Sequence, residues 1–153
     1  MSMFKPNPRF SLPVALACAL LLNGTAAQAH LGGNEASVQA DAADWQAPAV
    51  AVRGARFVVF THTTPEGVKV RQFLSSTGLV FAVAWDGPVL PDMARLLGNH
   101  FPPYQNALQQ RKRSVRVDTP TLALESGGMM RAFVGRAYLP DQLPAGVAAA
   151  DIQ

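Results

Sequence analysis

Between Arg56 and Trp85 apolar and polar residues alternate with a period of two, in three runs rich in β-branched and aromatic side chains. That periodicity predicts a three-strand antiparallel meander. The first run covers residues 56–63, and Thr64-Pro65-Glu66-Gly67 turns the chain, with proline fixing φ and glycine taking the left-handed position. The second covers 68–74 and ends at Ser75-Ser76-Thr77-Gly78. The third, 79–85, is apolar on both faces, so it is expected to be a central strand covered on both sides. Asp86-Gly87-Pro88 closes it, because proline cannot continue a ladder.

Helical signals flank the meander. Asn34 is an N-cap candidate ahead of a helix running to about Trp45, with Val38, Ala42 and Trp45 on one face and Pro48 as the stop. Trp45 is expected to anchor that helix on the sheet, and residues 30–33 before it to be flexible. A second helix is predicted over 91–97, with Asp92 near its positive end, Met93, Leu96 and Leu97 as its apolar stripe, and Gly98-Asn99 ending it. A third over 104–110 runs into Arg111-Lys112-Arg113, read as a solvated helix end rather than a binding patch. A C-terminal hairpin follows: residues 114–118 and 121–125 broken at Pro120, Ser126-Gly127-Gly128 as the turn, and 129–138 returning. Residues 141–153, bearing Pro, Ala and Gly, are expected to fray. The predicted fold is a single α+β domain over 30–140, an antiparallel sheet of about five strands (meander plus C-terminal hairpin) with two or three short helices.

Residues 1–29 have the form of a secretory signal peptide. Lys5 and Arg9 precede an apolar run from Leu12 to Leu22, and Ala27-Gln28-Ala29 forms a cleavage site before His30. The run is about a dozen residues, short of the ~20 a membrane span needs. Cleavage between Ala29 and His30, and a periplasmic location, are the expectation. A lipid-anchor reading of Cys18 is weaker, since the apolar run continues past it and Ala15 stands where such signals usually want Leu. Cys18 is the chain's only cysteine, so the mature domain has no disulfide to hold it. Removing Lys5 and Arg9 brings the 13 basic residues close to the 10 acidic ones, and the pI near 9.5 overstates the basicity of the mature chain. A nucleic-acid partner is not expected, nor an integral membrane anchor in the mature chain.

Gly78-Leu79-Val80-Phe81-Ala82-Val83-Ala84-Trp85 with Gly87-Pro88, Leu90-Pro91-Asp92 and Leu96-Leu97-Gly98 resembles the bacterial domain-of-unknown-function family 2844. Leu31-Gly32-Gly33, Gly127-Gly128-Met129-Met130-Arg131-Ala132-Phe133 and Gly135-Arg136-Ala137-Tyr138-Leu139-Pro140 extend the likeness over nearly all the mature chain. The resemblance implies a small exported protein of Gram-negative bacteria and supplies no catalytic residue.

No nucleophile elbow of the form G-x-S-x-G and no phosphate-cradling glycine loop occurs. Ser126-Gly127-Gly128 reads as a turn, while Asp86 and Asp92 each have a local task at a turn and a helix start. Two readings of function remain. In the first, Lys69, Arg71 and Arg131, beside Phe73 and Phe133, make a mixed surface for an envelope protein or polymer, the chain being a non-catalytic binding or accessory module of the cell envelope. The competing reading of these cations is that they merely solvate the outer strands. In the second, the chain is a periplasmic copper protein: the α-amine and imidazole of a mature N-terminal His30 chelate Cu(II), with His62 or His100 completing the site. Cleavage after Ala27 would instead leave Gln28-Ala29-His30, whose amine, amides and imidazole also wrap a square-planar ion. Against both stands the reading of the three histidines as surface residues without metal.

Overall fold

The computed structural model describes residues 30–110 and 114–153. The leader with Ala29 and Cys18, and the Arg111-Lys112-Arg113 run, lie outside the described residues. The strands form one antiparallel sheet. They are β1 (Val50–Arg53), β2 (Phe57–Thr63), β3 (Lys69–Ser75), β4 (Val80–Gly87), β5 (Ser114–Asp118), β6 (Ala123–Met129) and β7 (Ala132–Tyr138), in the order β1-β2-β3-β4-β7-β6-β5. Helices α1 (Glu35–Asp44), α2 (Met93–Leu97) and α3 (Phe101–Leu108) complete the architecture.

The α+β class and the meander follow the sequence, but the sheet has seven strands rather than about five. β1 lacks the signal by which strands are read, because all of its residues are exposed and no face of it alternates into a core. At the other end, Pro120 does not break a single strand. Thr119 reverses the chain: its amide donates to Leu122 O at 2.9 Å and its Oγ1 accepts from Leu122 N at 2.9 Å, so β5 and β6 pair antiparallel. The hairpin turn also lies later than Ser126-Gly127-Gly128. Those residues belong to the β6 ladder, and the chain turns at Met130-Arg131, where Arg131 adopts φ 64°. Gly128 is required by close approach, since a Cβ there would lie 2.6 Å from Ala132 O and 2.9 Å from the Phe133 ring.

β4 is buried along its first six positions, as its unbroken apolar run requires. Val83 and Trp85 face the helices, where Leu31, Val38, Val70, Leu96, Leu97 and Leu124 close the main core. Asn34 caps α1 as expected, accepting from Ser37 N at 3.0 Å while Ser37 Oγ accepts from Asn34 N at 2.8 Å. Residues 30–33, expected to be flexible, are pinned instead. Leu31 is fully buried, its amide donates to Leu96 O at 3.0 Å, and Gly32 N donates to Val80 O at 2.8 Å.

The opposite face of the sheet carries a second cluster, in which Phe57, Phe73 and Phe81 pack at ring separations from 5.6 to 6.2 Å. Residues 141–153 lie across this cluster rather than fraying. Val147 and Ile152 are buried on it, and Arg56 and Arg136 donate to Gly146 O at 2.6 Å and Ala149 O at 2.7 Å. The tail thus covers one part of that face and leaves the rest open.

Candidate functional site

Strand register builds a transverse row on the open part of the face. Arg71 pairs with Ala84, Ala84 with Arg136, Arg136 with Glu125 and Glu125 with Arg116, so five neighbouring strands present these residues side by side. The next row runs Lys69, Asp86, Val134, Gly127, Ser114. Ala84 in the first row and Gly127 in the second fill little space beside their larger neighbours, which leaves a groove of about 600 Å³. Ile152 and Gln153 close it at the tail.

The groove's charges alternate. Arg71 Nη2 lies 2.8 Å from Asp86 Oδ1, and Glu125 is shared by Arg136 at 3.1 Å and Arg116 at 3.4 Å. Pairs as open as these contribute at most ~1 kcal/mol each, so their role in stability is small and their donors remain exchangeable. Arg136 Nη1 also holds the tail carbonyl of Ala149, whereas Arg71 Nε is buried without an acceptor. Donors in a forked plane beside apolar Val134, Val115 and Ile152 suit carbonyl-bearing, extended ligands. Ser114 and Ser126 also line the groove, but no histidine does, so no Ser-His pair is formed there.

Of the residues singled out in the sequence, Arg71 lines the groove and Lys69 flanks it on the same face. Arg131 does not join them. It sits at the β6–β7 tip beside Met129 and Met130, which are 79% and 95% exposed. Phe73 lies among the aromatic rings of the second cluster, and Phe133 pairs with Gly87 and Gly128 rather than standing beside Arg71. Arg116, Glu125 and Arg136 come together only through the β5-β6-β7 register, which differs from the predicted hairpin.

The histidines separate. His62 is not at the surface: it is fully buried, its Nδ1 donating to Ala47 O at 3.0 Å and its Nε2 3.0 Å from Gln72 Oε1. Gln72 Nε2 donates to Asp41 Oδ2 at 3.2 Å, and Arg95 Nε donates to Asp41 Oδ1 at 3.1 Å while a second guanidinium nitrogen binds Asp44. Trp45 packs edge-on to His62 at 5.4 Å and carries Arg95 over its ring, so it does anchor α1. Burial pushes the Asp41 carboxyl up to about 6, against the lowering pull of Arg95 and then Gln72.

His30 and His100 lie near one another. A Cβ on Gly98 (φ +51°) would fall 2.5 Å from Cγ and Cδ2 of the His30 ring, and a Cβ on Gly32 would touch His100 Nε2 at 3.8 Å. Burial, then the His30 charge, holds His100 below its ordinary pKa, while Asp141 opposes. His100, Asp141 and Gln142 line a small open pocket of about 320 Å³. Among the described residues no cluster of three or more His, Cys, Asp or Glu side chains is placed to hold a metal. No helix among them is long and apolar enough to cross a membrane.

Comparison with known proteins gives a match over residues 27–152 to the family described as "Protein of unknown function (DUF2844)". No curated protein matches the chain, and no solved structure does.

Proposed function

The chain belongs to this family of unknown function, and we propose that it is an exported, non-catalytic binding or accessory module of the cell envelope, working in the periplasm. Its groove takes an extended segment of an envelope protein. The observation that carries this reading is the tail itself: beside the groove, the same sheet face already holds a stretch of chain, with Arg136 gripping a carbonyl and Ile152 sunk against the sheet. Along the row, Arg116 offers the same guanidinium chemistry from a side chain that is 73% exposed. Specificity would come from the alternation of three guanidiniums with two carboxylates, which favours a partner of complementary order and rejects uniform polyanions.

Charge reversal tests it without touching the tail strap. Arg71→Glu with Arg116→Glu, expressed in the native host, is expected to lose a periplasmic partner that the unaltered protein co-purifies in near-stoichiometric amount, with little change in melting temperature. Equal recovery by both proteins would contradict the reading.

A second reading, a periplasmic copper protein built on a mature N-terminal His30, is favoured by the proximity of His100 to the 30–33 turn.

A further inference from the structure

We propose that His62, Gln72 and Asp41 share one proton beyond those that a neutral imidazole, an amide and a carboxylate bring, and that this proton fastens α1 and the 45–49 link to the sheet. The device is a pH-sensitive latch, complete at low pH and lost as pH rises.

Three contacts run in line from the 45–49 link to α1. His62 Nδ1 is 3.0 Å from Ala47 O, His62 Nε2 is 3.0 Å from Gln72 Oε1, and Gln72 Nε2 is 3.2 Å from Asp41 Oδ2. Each contact needs a hydrogen. The two ends, a backbone carbonyl and a carboxylate, only accept. A neutral imidazole supplies one hydrogen, and the Gln72 amide, whose nitrogen faces one side at a time, supplies one more. Two hydrogens cannot fill three contacts. Turning the amide over only moves the shortage, because it satisfies His62 Nε2 and sets Gln72 Oε1 against the Asp41 carboxylate. One added proton closes the chain in either orientation, on His62 with the amide as it stands or on Asp41 with the amide reversed. The two sites therefore titrate as a pair.

His62, Gln72 and Asp41 are fully buried, so a contact left unfilled among them carries the cost of desolvation without a bond in return. Charge points the same way. Among the described residues, the charged groups facing this chain are Asp41 and Asp44 from α1 and Arg95 from α2, with His62 from β2 and neutral Gln72 from β3 within it. With the added proton the set is neutral, and without it one negative charge is left over beside buried groups. Glu66 of the β2–β3 turn is exposed and lines a small surface pocket with Asp44 and Trp45. Burial raises Asp41 to about 6 against the pull of Arg95, Gln72 and His62, which accords with a group holding a proton it would shed in water.

Nuclear magnetic resonance of the isotope-labelled protein tests this by following the His62 ring nitrogens, the Asp41 carboxyl carbon, and exchange of the Trp45 and Ala47 amides, which donate to Asp41 O at 2.8 Å and Ala42 O at 2.9 Å. As pH rises from about 4 to about 8, the ring and the carboxyl are expected to shift with one shared midpoint. Across it, amide protection corrected for the intrinsic exchange rate is expected to fall about tenfold, the weight of one lost buried hydrogen bond. Asp41→Asn brings the missing hydrogen in its own amide, so the His62 ring is expected to stay neutral with its hydrogen on Nδ1 and protection to stay flat. Gln72→Met cuts the relay, and the His62 and Asp41 midpoints are expected to part. This second variant carries the test should Asp41→Asn fold poorly, with melting of all three proteins compared alongside. Separate midpoints in the unaltered protein, or a His62 ring that shifts with pH in Asp41→Asn as it does in the unaltered protein, overturns the shared proton. Protection indifferent to pH in the unaltered protein overturns the latch.

Discussion

Asp41 shows what burial does to a single group. Its side chain is fully enclosed under α1, and desolvation outweighs the Arg95 guanidinium, raising the carboxyl from 3.8 to about 6. The folded chain therefore keeps a proton on Asp41 that the unfolded chain has already lost between about pH 4 and pH 6, and over that window stability falls as pH rises. The shift corresponds to a contribution on the order of 2–3 kcal/mol, present below pH 4 and gone above pH 6. Asp41→Asn removes this slope, so chemical unfolding at pH 4.5 and pH 7 is expected to show the variant gaining about 2 kcal/mol relative to the unaltered protein on going up in pH. Parallel curves would contradict it. At this scale the sequence was partly legible. Asn34 as cap and Trp45 as anchor follow from local chemistry, but the burial of His62 needs Gln72 and Asp41 from other elements, and nothing local to His62 announces them.

Among the elements, the tail is the clearest case of tertiary context overriding composition. Residues 141–153 hold no periodic apolar pattern, yet Phe57, Phe73 and Phe81 leave an aromatic surface that must be covered, and Val147 and Ile152 cover it. Ile152→Ala is expected to cost about 2–5 kcal/mol, the range for truncating a buried aliphatic side chain, measured by denaturant unfolding. A loss under ~0.5 kcal/mol would mean that the tail is not packed as described. The meander was legible because its turns place Gly67 and Gly78 at positive φ, the conformation that glycine favours. The C-terminal hairpin was not, because Arg131 takes the left-handed conformation while Gly127 and Gly128 stay in the ladder.

For the whole molecule, the sheet's two faces are covered differently. Helices α1 to α3 and the main core occupy one face. The other is shared between the tail and a charged groove that exists only because β5, β6, β7, β4 and β3 come into register. Of the groove, Arg71 was visible in the sequence and Arg116, Glu125 and Arg136 were not, since a row across strands has no trace along the chain until the pairing is known. Its edges are unequal: β1 ends the sheet with Val50 and Val52 64% and 62% exposed, whereas β5 is backed by α3. The central claim is that the groove, and not the free edge or the Met129-Met130 tip, meets the partner. The most direct measurement places a photo-crosslinking side chain singly at Ser114, Val134, Val52 and Met130 in the native host and compares the trapped products by mass. The account predicts one discrete adduct shared by Ser114 and Val134 and missing from Val52 and Met130. Adducts at Val52 or Met130 with none at Ser114 and Val134 would contradict it.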